Sequence, residues 1–375
     1  MIDVIQQLAK APIPLLPNRV WRFYLGGKLI DELRGIAPAK DADLPEEWVG
    51  SCVEARNPPG HQTPQEGLQR VKTPSGELAF LRALVEADPK AMLGERHVAR
   101  WGNNPALLVK LLDTQIRLFV HVHPTREFAT KHLNSCFGKT EGWIITQTRQ
   151  TGPEPPSVWL GFRQGIRKEQ FKAWTRKQDV PAMLAALHKL PAKPGDVFYI
   201  QAGLPHAIGA GIFCVELQEP TDFSICAEKR CLDFEFASEK DQFGGMDFDL
   251  AMDTFDYTGY TPRELEDRFV LPTRTLRAEG PNREEQLFGG PRTKDFFAAH
   301  RLTVATRMAP GPRGGFCILV LLDGAGRIRS AAGTWPVKRG DPFFLPAALN
   351  DWELEAEAGR PITAISCLPP AGSAT

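Results

Sequence analysis

Residues 119–143, FVHVHPTREFATKHLNSCFGKTEGW, together with residues 195–209, GDVFYIQAGLPHAIG, carry the reading on which the rest of the chain depends. In an extended strand the side chains alternate between faces, so His121 and His123 project from one face with Val122 behind them. Two imidazoles then converge on one point. Glu141, at the head of a strand-like run through Trp143, and His206, just after a glycine-punctuated turn, supply the further corners of a nitrogen and oxygen site of the kind divalent metals occupy.

The chain has 375 residues, long enough for about two or three domains with sizeable cores. Its 42% hydrophobic and 24% charged residues are the balance of a globular enzyme. Lysine plus arginine and aspartate plus glutamate both number 45, which leaves no overall field to draw in nucleic acid or an anionic membrane. The expected partner is instead a small molecule. Residues 1–21 lack a basic flank followed by a long apolar run, and no stretch nears the roughly 18 apolar residues of a membrane span. Cys52, Cys136, Cys214, Cys226, Cys231, Cys317 and Cys367 are odd in number and scattered, which argues against a disulfide framework or a thiolate zinc site and for a reducing, cytoplasmic setting.

The 33 glycines and 32 prolines punctuate many short apolar runs, so the fold class expected is mainly β with helices as insertions. Residues 1–57 and 105–231 are assigned to a first, metal-binding β-module. Within it, strands are expected at 48–55, 107–113, 116–124, 141–147, 157–165, 195–203 and 212–220, and a short helix at 28–33. Residues 58–104 read as a helical insertion with apolar residues three and four apart. Residues 167–190 form the clearest helical pattern, interrupted at Pro181, and are expected to bridge two strands over the module's rim. Residues 232–271 read as a crossover to a second β-module at 272–375.

That second module is a concealed repeat. GDVFYIQAGLPH at Gly195 aligns with GDPFFLPAALND at Gly340, so Asp351 stands where His206 stands. LVLLDGAGRI beside it has no His-x-His. The second module is therefore expected to keep the fold and lack the ligands, as a structural partner.

His-x-His, a later glutamate, and glycine, five residues, Gln201, any residue, glycine, any two, histidine resemble the paired motifs of the cupin β-barrels, where proline is usual at the Gln201 position. That resemblance implies two cupin-like β-barrel (jelly-roll) domains, the second degenerate. The order of the parts further resembles class I mannose-6-phosphate isomerase over roughly residues 18–370. The matching residues are Trp21 and Gly26-Gly27; Glu46, Trp48 and Ser51 in PEEWVGS; Lys110 in LLVKLLD; His123 in VHVHP; Lys139 and Glu141 in GKTEGW; and VELQEPTDFSI.

In that family one divalent metal, usually zinc, is held by Gln or His, His, Glu and His. These map onto His121, His123, Glu141 and His206, with His121 at the usual glutamine position. The activity implied is interconversion of mannose 6-phosphate and fructose 6-phosphate. It moves a proton between C1 and C2 through an enediol and needs a base and electrostatic help for developing charge. Lys110 and Lys139 are the expected catalytic lysines, with pKa values lowered by desolvation and the neighbouring metal, and Asp222 is the expected proton shuttle. Trp21, Glu46 and Ser51 are expected to contact substrate. One departure stands out: the family's arginine after Ser-Asp is Cys226 here, so either Lys229 or Arg230 supplies the cation or the substrate is a different or unphosphorylated sugar. Gly138 stands where some members carry histidine. A sugar-binding regulatory cupin that keeps the metal without turnover is the alternative from another class.

Overall fold

Alternation along the buried strands builds the molecule in layers. In Leu108–Asp113 and Ile212–Gln218 every residue is buried, so both faces of these strands need partners. Val109, Leu111, Phe213, Val215 and Leu217 enter one apolar cluster, while Leu112, Ile212 and Cys214 enter another. Lys110 and Glu216 share the second face and are direct cross-strand partners. One period of two thus places core behind the sheet and polar chemistry in front of it.

The computed structural model describes residues 2–311 and 315–371; residue 1 and residues 372–375, at the outer ends of the two expected modules, and residues 312–314 lie outside the described residues. The first module pairs a six-stranded sheet, in the order Val197–Ile200, Glu141–Thr148, Ile212–Gln218, Leu108–Asp113, Glu46–Val49 and Arg19–Val20, with a second sheet of Leu187–Pro191, Ser157–Arg163, His206–Ile208, His121–Val122 and Ile225–Cys226. Trp143, Ile145 and Phe198 from the one meet Val158, Leu160 and Ile208 from the other.

The second module repeats this plan with a seven-stranded sheet and a four-stranded one, packed through Leu302, Leu319, Phe343, Ile328 and Leu354. Gly195 and Gly340 both have positive φ, 97° and 89°, and each is followed by the strand the repeat predicts, Val197–Ile200 and Pro342–Leu345. The chain is mainly β, in two jelly-roll modules with helical insertions.

The back faces of the two large sheets share one core, in which Val109, Leu111 and Val215 meet Phe288, Ile318, Val320 and Phe344. At Gly142, next to Glu141, a Cβ would come within 2.4 Å of the Phe288 ring, so only glycine lets the sheets approach this closely. Residues 13–14, placed by the sequence in the first module, instead pair with Phe343 and Phe344 of the second.

Several sequence expectations shift in detail. The strand expected at 48–55 is Glu46–Val49 and ends at Gly50, whose φ is 64°. Of 116–124 only His121–Val122 pairs, because the segment before it is held by side chains: Glu228 accepts from the Val120 N–H at 2.7 Å and from Arg117. Pro181 does not interrupt a helix. It opens a new one, Val180–Ala185, in the first turn where its missing N–H costs nothing, behind an Asp179 cap that accepts from the Ala182 N–H at 3.1 Å. The chain then returns as the edge strand Leu187–Pro191. These helices cover the outer face of the smaller sheet through Phe171 and Met183 rather than spanning its rim.

Candidate metal centre

Strand register gathers the site. His121 pairs with His206 on one side and with Cys226 on the other, so the three side chains share a face. Glu141 arrives from the facing sheet, at the first residue of its strand. The ligating atoms of His121, His123 and His206 all lie within 4.8 Å of one another. Glu141 joins two of them, with Oε2 3.1 Å from His123 Nε2 and Oε1 3.4 Å from His206 Nε2.

Each imidazole is oriented from behind by a backbone carbonyl. Nδ1 of His121 donates to Phe119 O at 2.8 Å, that of His123 to Phe223 O at 2.7 Å and that of His206 to Leu204 O at 2.8 Å. This fixes the tautomer that leaves Nε2 as the lone-pair donor, the arrangement metal-binding histidines adopt. Burial and the neighbouring His206 and His123 push His121 well below its usual pKa; burial and the Lys139 charge push His123 down to about 3. Burial lowers His206 as well. All three are therefore neutral near pH 7, as ligands must be.

His206 Nε2 is buried without a hydrogen-bond partner, an expensive state unless something is bound there. The Lys139 ammonium lies 2.7 Å from His123 Nε2 and 2.8 Å from Glu141 Oε2, the position of a group drawn to a cation-seeking cluster. Lone pairs facing inward, an orphaned nitrogen and a carboxylate held well below its usual range, against its burial, by Lys139 and His123 fit a divalent metal.

Beside the histidines lies a buried charge network. Lys110 Nζ sits 3.5 Å from Glu46 Oε2 and 3.3 Å from Glu216 Oε2. Glu46 also accepts from Tyr24 and Trp48 and pairs with Arg22, whose guanidinium continues to Asp222 at 3.0 Å. The expectation for Lys110 is corrected here: burial alone would lower its pKa, but Glu216 and Glu46 outweigh burial and raise it, so it is a fixed cation. Glu216 moves the other way. Burial first, then the Glu141 charge, push it up to about 7. Trp143 Nε1 links the two carboxylates, 3.1 Å from Glu141 Oε1 and 3.2 Å from Glu216 Oε1.

A cavity of about 1370 Å³ opens over this floor. Of the residues expected from sequence, Trp21, Glu46, Lys110, Lys139, His121, Glu141 and Asp222 line it. Ser51 does not: its hydroxyl is buried against Val53, donating to the carbonyl at 3.1 Å. Lys229 and Arg230 do not line it either, being turned outward onto Glu235. Gly138 is explained by space, since a Cβ there would fall 2.4 Å from Pro124 O and no histidine fits.

Sequence reasoning missed Glu216, Arg22 and Tyr24. A glutamate following the apolar run IFCV in the strand IFCVELQ was the available signal for the first. The VELQEPTDFSI segment acts as a brace: Glu219 accepts from the Thr140 N–H at 2.9 Å and Thr221 Oγ1 donates to Gly138 O at 2.6 Å, which fixes the residues on both sides of Lys139.

Comparison with known proteins agrees with this construction. A family model, mannose-6-phosphate isomerase cupin domain, matches residues 291–363, within the second module. Mannose-6-phosphate isomerase of Bacillus subtilis is 24% identical over 352 residues, covering 92% of this chain and 95% of that one. The chain is similar to mannose-6-phosphate isomerases over nearly its whole length. The isomerase of Streptococcus mutans is also 24% identical, over 76% of this chain and 83% of its own. Among solved structures, the B. subtilis isomerase superposes with a TM-score of 0.71 at 20% identity over 95% of this chain and 99% of that chain. A mannosephosphate isomerase homologue of Archaeoglobus fulgidus does so at 0.71 and 18%, over 96% and 98%. Both share the isomerase fold.

Proposed function

We propose that this chain is a metal-dependent aldose–ketose isomerase that interconverts mannose 6-phosphate and fructose 6-phosphate in the cytoplasm. The observation that carries the reading is a cluster of three neutral histidines with Glu141, joined to a cavity through His121 and Glu141, where the Lys139 ammonium and the Glu216 carboxylate, its pKa pushed up by burial, also face. His121, His123, His206 and Glu141 would hold one divalent metal, with zinc the leading candidate. When bound, such an ion supplies Lewis-acid polarisation of sugar oxygens.

The chain's own residues supply the rest. Glu216, poised near pH 7, is matched to carrying a proton between adjacent carbons, since a base works best with a pKa close to the working pH. Lys110 holds its Oε2 in place and Trp143 its Oε1. Lys139 offers a cation for the negative charge that develops on the enediol oxygens. Asp222 is less free for the shuttle role, because Arg22 donates to both its oxygens and the Arg56 N–H to Oδ2. Among the described residues no helix is long and apolar enough to cross a membrane, and the cysteines form no disulfide.

A second reading, an isomerase of an unphosphorylated sugar, is favoured by the apolar setting of Cys226 beside Phe119 and Phe236. The deciding experiment is to assay purified, metal-loaded protein against a panel of aldose phosphates and free aldoses, read by ketose formation. Turnover of mannose 6-phosphate above all others supports the main reading, preference for a free aldose selects the second, and no turnover of any leaves a sugar-binding protein.

A further inference from the structure

Residues 221–226 line the cavity without contributing a cation. Cys226 packs with Phe119 and Phe236, and burial pushes its thiol up to about 12, so it is uncharged near pH 7. Lys229 and Arg230 share Glu235 on the outside. Arg22, Lys110 and Lys139 do line the cavity, yet each is matched to buried carboxylates. Among the described residues two lining cations remain with no carboxylate within ion-pair distance, Arg56 and Lys240.

Arg56 is held where an anion would need it. Its backbone N–H donates to Asp222 Oδ2 at 2.8 Å, and its guanidinium carbon lies 4.7 Å from the centre of the Phe223 ring. A guanidinium held over an aromatic face keeps its N–H donors for other acceptors and can take two oxygens at once. Phe223 is also the residue whose carbonyl orients His123. One residue therefore holds the guanidinium with its ring and a histidine with its backbone, which fixes the spacing between them. Two acids also line this region, but Glu54 accepts the Gln65 N–H at 2.8 Å and Asp241 the Ser238 hydroxyl at 2.7 Å, neither on Arg56.

We infer that Arg56 reads the phosphate of the substrate, supplying from a different loop the guanidinium that position 226 lacks. The assignment rests on the proposed phosphosugar reading, and it makes discrimination between mannose 6-phosphate and mannose a property of this side chain. Lys240 lies on the short helix Glu239–Gln242, which Gln242 fastens to Cys226 O at 2.8 Å. It lacks a stacking partner among the described residues and is left as a flexible point charge.

The test compares the metal-loaded parent with Arg56→Ala, Arg56→Lys and Lys240→Ala, measuring metal content, steady-state kinetics, and calorimetric binding of mannose 6-phosphate, mannose and inorganic phosphate. Arg56→Ala should raise KM and Kd for mannose 6-phosphate about 10- to 100-fold, with metal content and mannose affinity kept. Competition by inorganic phosphate should weaken in parallel, and Arg56→Lys should recover only part because it restores charge without the fork. The inference is overturned if Arg56→Ala leaves mannose 6-phosphate affinity within about twofold of the parent, or weakens both sugars equally as a packing defect at Phe223 would. It is overturned too if Lys240→Ala removes the discrimination and Arg56→Ala does not. Should the parent turn over neither sugar yet bind mannose 6-phosphate more tightly by an Arg56-dependent margin, the isomerase reading fails and the Arg56 assignment stands.

Discussion

The two modules share a register and differ in what fills it. In the first, the glycine turn at Gly195 leads to His206, fully buried among His121, His123 and Glu141; in the second, the turn at Gly340 leads to Asp351, exposed just before the strand Trp352–Ala356. Between the sheets of the second, Leu302, Leu319, Ile328 and Leu354 pack together, and among its described residues there is no buried metal-ligand cluster. A jelly roll thus tolerates a polar interior where partners offset most of the desolvation of its buried groups. In the first module the partners are carbonyls behind the imidazoles, carboxylates around the lysines and a place for an ion.

The largest break in this comparison comes from the ligands. The purified parent should hold about one divalent metal per chain, and His206→Ala or His123→Ala should bring it close to none. Elemental analysis decides: a parent near zero without chelator treatment, or near two, contradicts the single-site contrast.

Next are the polar groups around the metal. Lys139→Ala and Glu216→Gln should each lower kcat by about 10² or more while retaining the metal, since neither is placed as a ligand. Rates within a few-fold of the parent's would make these buried charges part of the framework only. In the second module the expected effect is on stability alone. Leu319→Ala, at a fully buried position, should cost about 2 to 5 kcal/mol in denaturant unfolding, with KM and metal stoichiometry of the folded protein unchanged. A loss of metal there would mean the two interiors are coupled.

The smallest effect is expected from restoring the missing histidine. Asp351→His should leave the metal count at about one and stability within about 0.5 kcal/mol, because an exposed ligand without companions holds nothing. A second bound ion would show that the repeat kept more of the site than its packing suggests.

Much of this contrast was legible in the residues. The His-x-His spacing, the glycine turns and the matched positions 206 and 351 depend on local alternation and turn geometry, which sequence states directly. Long-range pairing is a different matter. That Lys110 is held charged by Glu46 and Glu216, and that Lys229 turns away to Glu235, depends on cross-strand register and on a short hairpin, neither visible until strands are placed side by side. Pro181 misled for a simpler reason: an interruption and a first-turn position look alike until the cap at Asp179 is weighed.

The contact at Gly142 has a bearing on how the protein is made. The strand that carries Glu141 lies against Phe288, and residues 13–14 wait for Phe343 and Phe344. A ribosome that has released the whole first module has therefore made a sheet whose back, at Val109, Leu111 and Val215, is still bare apolar surface. The nascent half is an aggregation risk until the second module emerges, and a fragment ending at residue 271 should be recovered as oligomers or inclusion bodies rather than as a working metal site. On this expectation the second module serves as the apolar cover of the first, since Phe288, Ile318, Val320 and Phe344 close over Val109, Leu111 and Val215.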